Sequence, residues 1–130
     1  MRCGRRTAHK GSVVNTSATA AKPLVLKLGG ELLEEPERVR AIARVIRQAA
    51  AKGPLVVVHG GGREIDRALF AAGISKQQVD GLRITDESTL QVVVSVLGGA
   101  VNTQFVAALN AAGVKAVGLT GADATVAPVR

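Results

Sequence analysis

The chain has 130 residues, 47% of them apolar but only 2% aromatic, which fits one compact domain or a piece of a larger one and excludes general disorder. Leu, Val, Ile and Ala must fill the core, as suits buried parallel strands covered by helices. The net charge of +7 points towards nucleic acid, yet +5 of it belongs to residues 1–22, and from Pro23 onward 12 basic residues face 10 acidic ones, so the body is nearly neutral.

The single Cys3 rules out a disulfide framework. No uninterrupted apolar run reaches the length of a bilayer span. Residues 1–22 carry Arg2, Arg5, Arg6, Lys10 and Lys22 without an acid and show no apolar periodicity, so they are expected to be a disordered basic tail. Three readings of that tail stay open. It is an organellar transit peptide, a basic arm for nucleic acid, or a translated stretch upstream of the true start.

Leu24–Leu28 is expected to form the first strand, ending in Gly29-Gly30. Pro36 to Ala51 predicts an amphipathic helix, with Val39, Ile42, Ala43 and Ile46 on one face. Pro36 suits the first turn, Gly53-Pro54 the stop, and Arg38, Arg40, Arg44 and Arg47 a solvated face. Leu55–Val58 then reads as a strand buried on both faces, running into His59 and three glycines. A second helix follows from Arg63 to about Ala72, stopped by Gly73. The unit of strand, glycines and helix is therefore repeated. Right-handed crossovers make the two strands parallel, so both glycine loops emerge at one carboxyl edge, where open α/β sheets bind ligands.

Val79 to Thr85, around Asp80-Gly81, predicts a hairpin over that edge. Asp86 to Ala112 predicts a long helix, acidic in its first turn, with a kink or a close approach at Gly98-Gly99. Lys115–Leu119 is expected to be a third strand, leading a third glycine loop, Thr120-Gly121-Ala122-Asp123, to the same edge. Three parallel strands with helices make a thin sheet that lacks its other side, as in the first part of a larger α/β protein.

Two nucleotide signatures fail. There is no GxxxxGK[ST], and Ile65 stands where a dinucleotide fingerprint needs its third glycine. Glycine amides at a strand–helix junction still make an anion cradle, because no Cβ keeps the ligand from the main chain. Lys27, at the end of an apolar strand, is read either as a fixed positive charge for a phosphoryl group or as an edge-strand lysine reaching water. His59 is read as bonded to its own turn rather than as a base. Arg83 is read either as a fork for a substrate carboxylate or as a surface arginine. No His, Cys and carboxylate spacing suggests a metal site.

Taken together, VLKLGGELL (Val25–Leu33), LVVVHGGGREID (Leu55–Asp66), VDGLRIT (Val79–Thr85) and AVGLTGADA (Ala116–Ala124) resemble the amino-acid kinase family. Within it, they resemble the branch that phosphorylates the side-chain carboxylate of N-acetyl-L-glutamate with ATP. The resemblance implies an α/β fold, a mostly parallel sheet in a three-layer sandwich, incomplete at the C-terminus. Residues 23–130 would be its N-terminal, substrate-binding part.

The resemblance also implies roles. Lys27 would stabilise the transferring phosphoryl group, and Gly29 and Gly30 would line the phosphate loop. The amides of Gly61 and Gly62 would hold substrate and phosphoryl group, and Arg83 would grip the α-carboxylate. ATP would be the co-substrate, with Mg2+ accompanying it, and a homodimer would form through the Asp86–Ala112 helix. No nucleic-acid or membrane partner is expected. The location would be cytoplasmic, or plastid if the tail is a transit peptide. The second catalytic lysine and most of the nucleotide site have no counterpart in these 130 residues, so the chain by itself is expected to be inactive. Competing readings are a non-catalytic substrate-binding or dimerisation module, and a related kinase acting on an aminoadipate derivative.

Overall fold

A computed structural model describes residues 21–127; the basic tail, apart from its last two residues, lies outside them. Strand β1 (Leu24–Leu28) and strand β2 (Leu55–His59) pair in parallel, with Leu24 opposite Leu55 and Leu28 opposite His59. This register brings Gly29 and Gly60 out side by side. Between the strands, a 3-10 turn (Gly30–Leu33) leads into α1 (Pro36–Ala50). The predicted stripe is the one that packs: Ala43 and Ile46 are buried, Val39 and Ile42 half-buried, and all four arginines exposed.

Helix α2 (Gly62–Ala71) follows β2 directly. Gly73, at φ +69°, ends it in a Schellman turn: the amide of Ile74 donates to the Leu69 carbonyl and that of Gly73 to the Phe70 carbonyl. Strands β3 (Gln78–Val79) and β4 (Leu82–Arg83) form the expected hairpin. Asp80 and Gly81 both have positive φ, 50° and 78°, as a two-residue loop of matching twist requires.

The long helix is continuous from Glu87 to Ala111. It comprises α3 (Glu87–Val94), a π-helical segment (Ser95–Val101) and α4 (Asn102–Ala111). The Asp86 carboxylate caps it, accepting from the Thr89 amide at 2.8 Å. Gly98 and Gly99 fall inside the π segment, so the predicted irregularity is a widened turn. A second Schellman turn at Gly113, φ +85°, closes the helix. By length and composition this helix passes for a membrane span, contrary to the expectation from uninterrupted runs alone. Its stripe of Val96, Val101, Phe105 and Leu109 is, however, buried in the core.

The third strand is not formed. Residues 114–119 run extended with alternating exposure but belong to neither sheet. The Asn110 side chain bonds Ala116 instead, its Oδ1 accepting from the Ala116 amide at 3.1 Å and its Nδ2 donating to the Ala116 carbonyl at 3.4 Å. The sheet is therefore two-stranded.

Two apolar clusters hold these elements. One joins Leu28, Ala43, Ile46, Phe105 and Leu109, with Leu26 and Val57 against it; α1 and α4 thus cover one face of the sheet. The other joins Ile65 and Leu69 of α2 to Val96 and Val101 of the long helix. The opposite sheet face is bare among the described residues: Val25, Val56 and Val58 are 62%, 47% and 45% exposed. Two layers of the expected three are present.

Candidate anion-binding edge

The two glycine loops meet backbone to backbone. A Cβ on Gly30 would stand 2.8 Å from the Gly61 nitrogen and 2.9 Å from its Cα, closer than carbon approaches in folded chains. Gly61, buried, precedes the first residue of α2 and lies on the π segment, where a Cβ would come within 3.0 Å of Leu97 and 3.2 Å of Val101. Gly62 is different. It is exposed, opens the helix, and has nothing within 4 Å of a Cβ position. The first-turn amides of α2 have no acceptor within the helix, and its dipole is positive there. Gly29, Gly30, Gly61 and Gly62 thus form one edge, as the repeated unit predicts.

The third loop reaches the same long helix. Gly98 faces Thr120, at 3.2 Å for a Cβ, and Gly118 lies against the Asn102 side chain. The Asp123 carboxylate accepts from the Thr120 amide at 2.6 Å and its hydroxyl at 2.8 Å, and these bonds hold it below the usual carboxylate range. This loop is folded on itself.

Lys27 lies three residues before Gly30, opposite Val58, on the bare face of the sheet. It is exposed and makes no ion pair among the described residues. The buried ammonium that an apolar strand suggests is not found, because nothing covers that face. His59 turns to the helix-covered side: Nδ1 lies 3.3 Å from the Gly60 carbonyl oxygen, and the ring meets Phe105 edge-on with centroids 5.7 Å apart. It serves its own turn, as expected.

Arg83 is held by a residue that the motifs did not single out. Its Nη2 donates to Asp66 Oδ1, while Lys76 Nζ donates to Oδ2 at 2.8 Å. The Lys76 bond first, then the charges of Lys76 and Arg83, hold the Asp66 carboxyl below the usual range against some desolvation. Asp66 stands four residues after Gly62 on α2, so the two share a helix face one turn, roughly 6 Å, apart. The i, i+4 spacing was visible in GGGREID; the partners across the chain were not.

Glu34 was also missed. Its side chain, 10% exposed, accepts from Arg63 at 3.0 Å and lies 3.7 Å from Arg67, tying the exit of the first glycine loop to α2. A cavity of about 450 Å³ behind it is lined by Glu34, Glu64, Val39, Val101 and Phe105, but by none of the predicted site residues. No three His, Cys, Asp or Glu side chains come together as a metal ligand set among the described residues.

An acetylglutamate kinase of Parabacteroides distasonis is 47% identical over 102 residues, covering 78% of this chain and 39% of that protein. One from Acinetobacter baumannii is 42% identical over 106 residues, covering 80% and 35%. The chain therefore spans little more than a third of the length of these relatives. Among solved structures, N-acetylglutamate synthase from Neisseria gonorrhoeae, complexed with coenzyme A and N-acetyl-glutamate, aligns with a TM-score of 0.60 at 33% identity, over 73% of this chain and 22% of that one. The smu.665 protein of Streptococcus mutans UA159 aligns with a TM-score of 0.64 at 25% identity, over 75% and 40%. Residues 22–129, which take in both glycine loops, the hairpin and the long helix, match the amino acid kinase family, and the chain belongs to it.

Proposed function

We propose that this chain is the acceptor-binding part of a kinase that phosphorylates the side-chain carboxylate of N-acetyl-L-glutamate with ATP. The observation that carries the reading is the spacing along α2. The open amide end at Gly62 and Asp66, whose carboxylate holds the Arg83 guanidinium, stand one turn apart on one face of α2, which puts a backbone anion cradle and a guanidinium fork on the same helix. The relatives named acetylglutamate kinase support the same substrate class.

In this reading, Arg83 grips the α-carboxylate, and the amides of Gly61 and Gly62 hold the acceptor carboxylate. Gly29 and Gly30 face the phosphates, and Lys27 offsets the charge of the moving phosphoryl group. The nucleotide supplies that group and brings Mg2+ with its phosphates. The chain offers glycine amides and one lysine towards a phosphoryl group. Leu90 and Val94, exposed one turn apart on the long helix, are the surface through which a homodimer would form.

Calorimetric titration of the chain with N-acetyl-L-glutamate tests this. Binding is expected in the micromolar to millimolar range and is expected to be lost in Arg83→Ala; no binding up to several millimolar overturns the reading. In a catalytically active form of family length, Lys27→Ala is expected to lower kcat far more than it raises KM.

A second reading is a non-catalytic binding or dimerisation module. Binding of N-acetyl-L-glutamate without ATP turnover supports it. A stronger response to N-acetyl-L-2-aminoadipate than to the glutamate compound would move the substrate to the longer acid.

A further inference from the structure

Arg83 is the most buried cation of its surroundings, its side chain 17% exposed against 39% for Lys76. A guanidinium presents five N–H donors in a rigid fork. Asp66 takes one of them at Nη2, while the buried Nε–H has no acceptor among the described residues. A buried charged donor left unmet is costly, so the fork is held ready for an acceptor that the described residues do not provide. Lys76 has a separate part. Because Asp66 is shared by two cations, the cluster keeps one net positive charge; without Lys76 the Asp66–Arg83 pair would be neutral and would attract a carboxylate less.

We propose that Asp66 and Lys76 are positioning residues for dicarboxylate recognition, Asp66, one helical turn from Gly62, fixing the Arg83 guanidinium and Lys76 keeping the clamp cationic. This inference rests on the reading of Arg83 as the α-carboxylate grip, and it adds what sets the distance between the two anion sites. A free arginine would sample many rotamers and accept carboxylates at many separations. An arginine tied to the same helix whose amide end holds the other carboxylate accepts one separation, because the helix is rigid and the ordering is done before the ligand arrives.

The experiment compares two ligands on the full chain by calorimetry: N-acetyl-L-glutamate, and 4-acetamidobutyrate, the same molecule without its α-carboxylate. The unsubstituted chain is expected to prefer N-acetyl-L-glutamate by roughly tenfold or more, as a charged fork commonly provides. Asp66→Asn is expected to remove most of that preference while changing the affinity for 4-acetamidobutyrate by less than about twofold. Asp66→Glu is expected to restore part of it, and Lys76→Met to reduce it less than Asp66→Asn. Circular dichroism of each variant establishes that the fold is kept. If Asp66→Asn weakens both ligands equally while Arg83→Ala alone removes the preference, Asp66 merely pins the hairpin; the proposal is overturned and the Arg83 reading stands. If the unsubstituted chain shows no preference, or binds neither ligand, the Arg83 reading fails and takes this one with it.

Discussion

Gly30 rests against Gly61 with no side chain between them, at a separation that would leave a Cβ on Gly30 2.8 Å from the Gly61 nitrogen. Both partners are backbone, and each is anchored by its own strand in a fixed parallel register. Neither can yield by a rotamer change. Gly30→Ala is therefore expected to force the loops apart and to destabilise the chain by about 1–3 kcal/mol. The shift of the urea midpoint at unchanged slope measures it, and a midpoint within error of the parent would mean that the loops are not in contact.

Gly62 provides the opposite case. It opens α2, its φ is not positive, and the space around its Cβ position is empty. Gly62→Ala is expected to leave stability unchanged or to raise it by about 0.4–1 kcal/mol, by restricting the unfolded chain. The new methyl group would nonetheless keep a carboxylate from the amide, so N-acetyl-L-glutamate affinity is expected to fall. Thermal melting and calorimetry on the same sample separate the two effects. A gain in both would show that no ligand approaches there.

Leu69 is 1% exposed in the cluster that joins α2 to the long helix. Leu69→Ala is expected to cost about 2–5 kcal/mol, against a total of about 5–15 for a domain. Because α2 begins at the second glycine loop and carries Asp66, its loosening is expected to abolish ligand binding before the chain unfolds globally. Hydrogen exchange should show α2 amides losing protection ahead of those in α1; uniform loss would contradict the two-cluster description.

Asp66, Asp86 and Asp123 all have folded-state pKa values below the ordinary one, through Lys76, the Thr89 hydroxyl and amide with the Ser88 hydroxyl, and Thr120 respectively. A depressed folded pKa means that the unfolded chain binds protons more readily, so the stability is present above the unfolded pKa and is lost as pH falls through the folded one. Stability is expected to decline from about pH 4 downward. Asp86→Asn is expected to flatten the acid limb of a Tm–pH profile, since an amide oxygen still caps the helix but does not titrate. An unaltered limb would remove Asp86 from the acid response.

Val25, Val56 and Val58 of β1 and β2 leave an exposed, largely apolar sheet face around Lys27. Such surfaces drive association. The chain is expected to show concentration-dependent self-association in sedimentation, reduced by Val56→Thr together with Val58→Thr without loss of helical circular dichroism. A monomer at all concentrations would refute this.

How much of this was legible in the residues depended on the range over which each feature is decided. The stripe Val39, Ile42, Ala43 and Ile46, the Pro36 start, the Gly73 and Gly113 stops and the Asp80-Gly81 turn are local, set by periodicity, capping and φ preference. All of them were readable. Repetition of strand and glycines even placed Gly29–Gly30 beside Gly60–Gly62, because handedness of the crossover is nearly invariant. Lys115–Leu119 failed as a strand although its alternation was right. A strand exists only when a neighbour accepts its ladder, and among the described residues none pairs with this segment, while Asn110 bonds its Ala116.

The anion edge shows the same division. Its glycines and its lysine stand in short motifs whose chemistry is intrinsic to the residue types. Sequence by itself therefore determined the helices, the turns, the family and the placing of two glycine loops at one sheet edge. Tertiary structure decided that Lys27 is exposed, since burial depends on whether another layer covers its face. It alone paired Asp66 with Lys76 and Arg83, and Glu34 with Arg63, across 10, 17 and 29 residues of chain. Ion pairs of that span leave no local pattern, because their partners become neighbours only when helices and hairpins have packed.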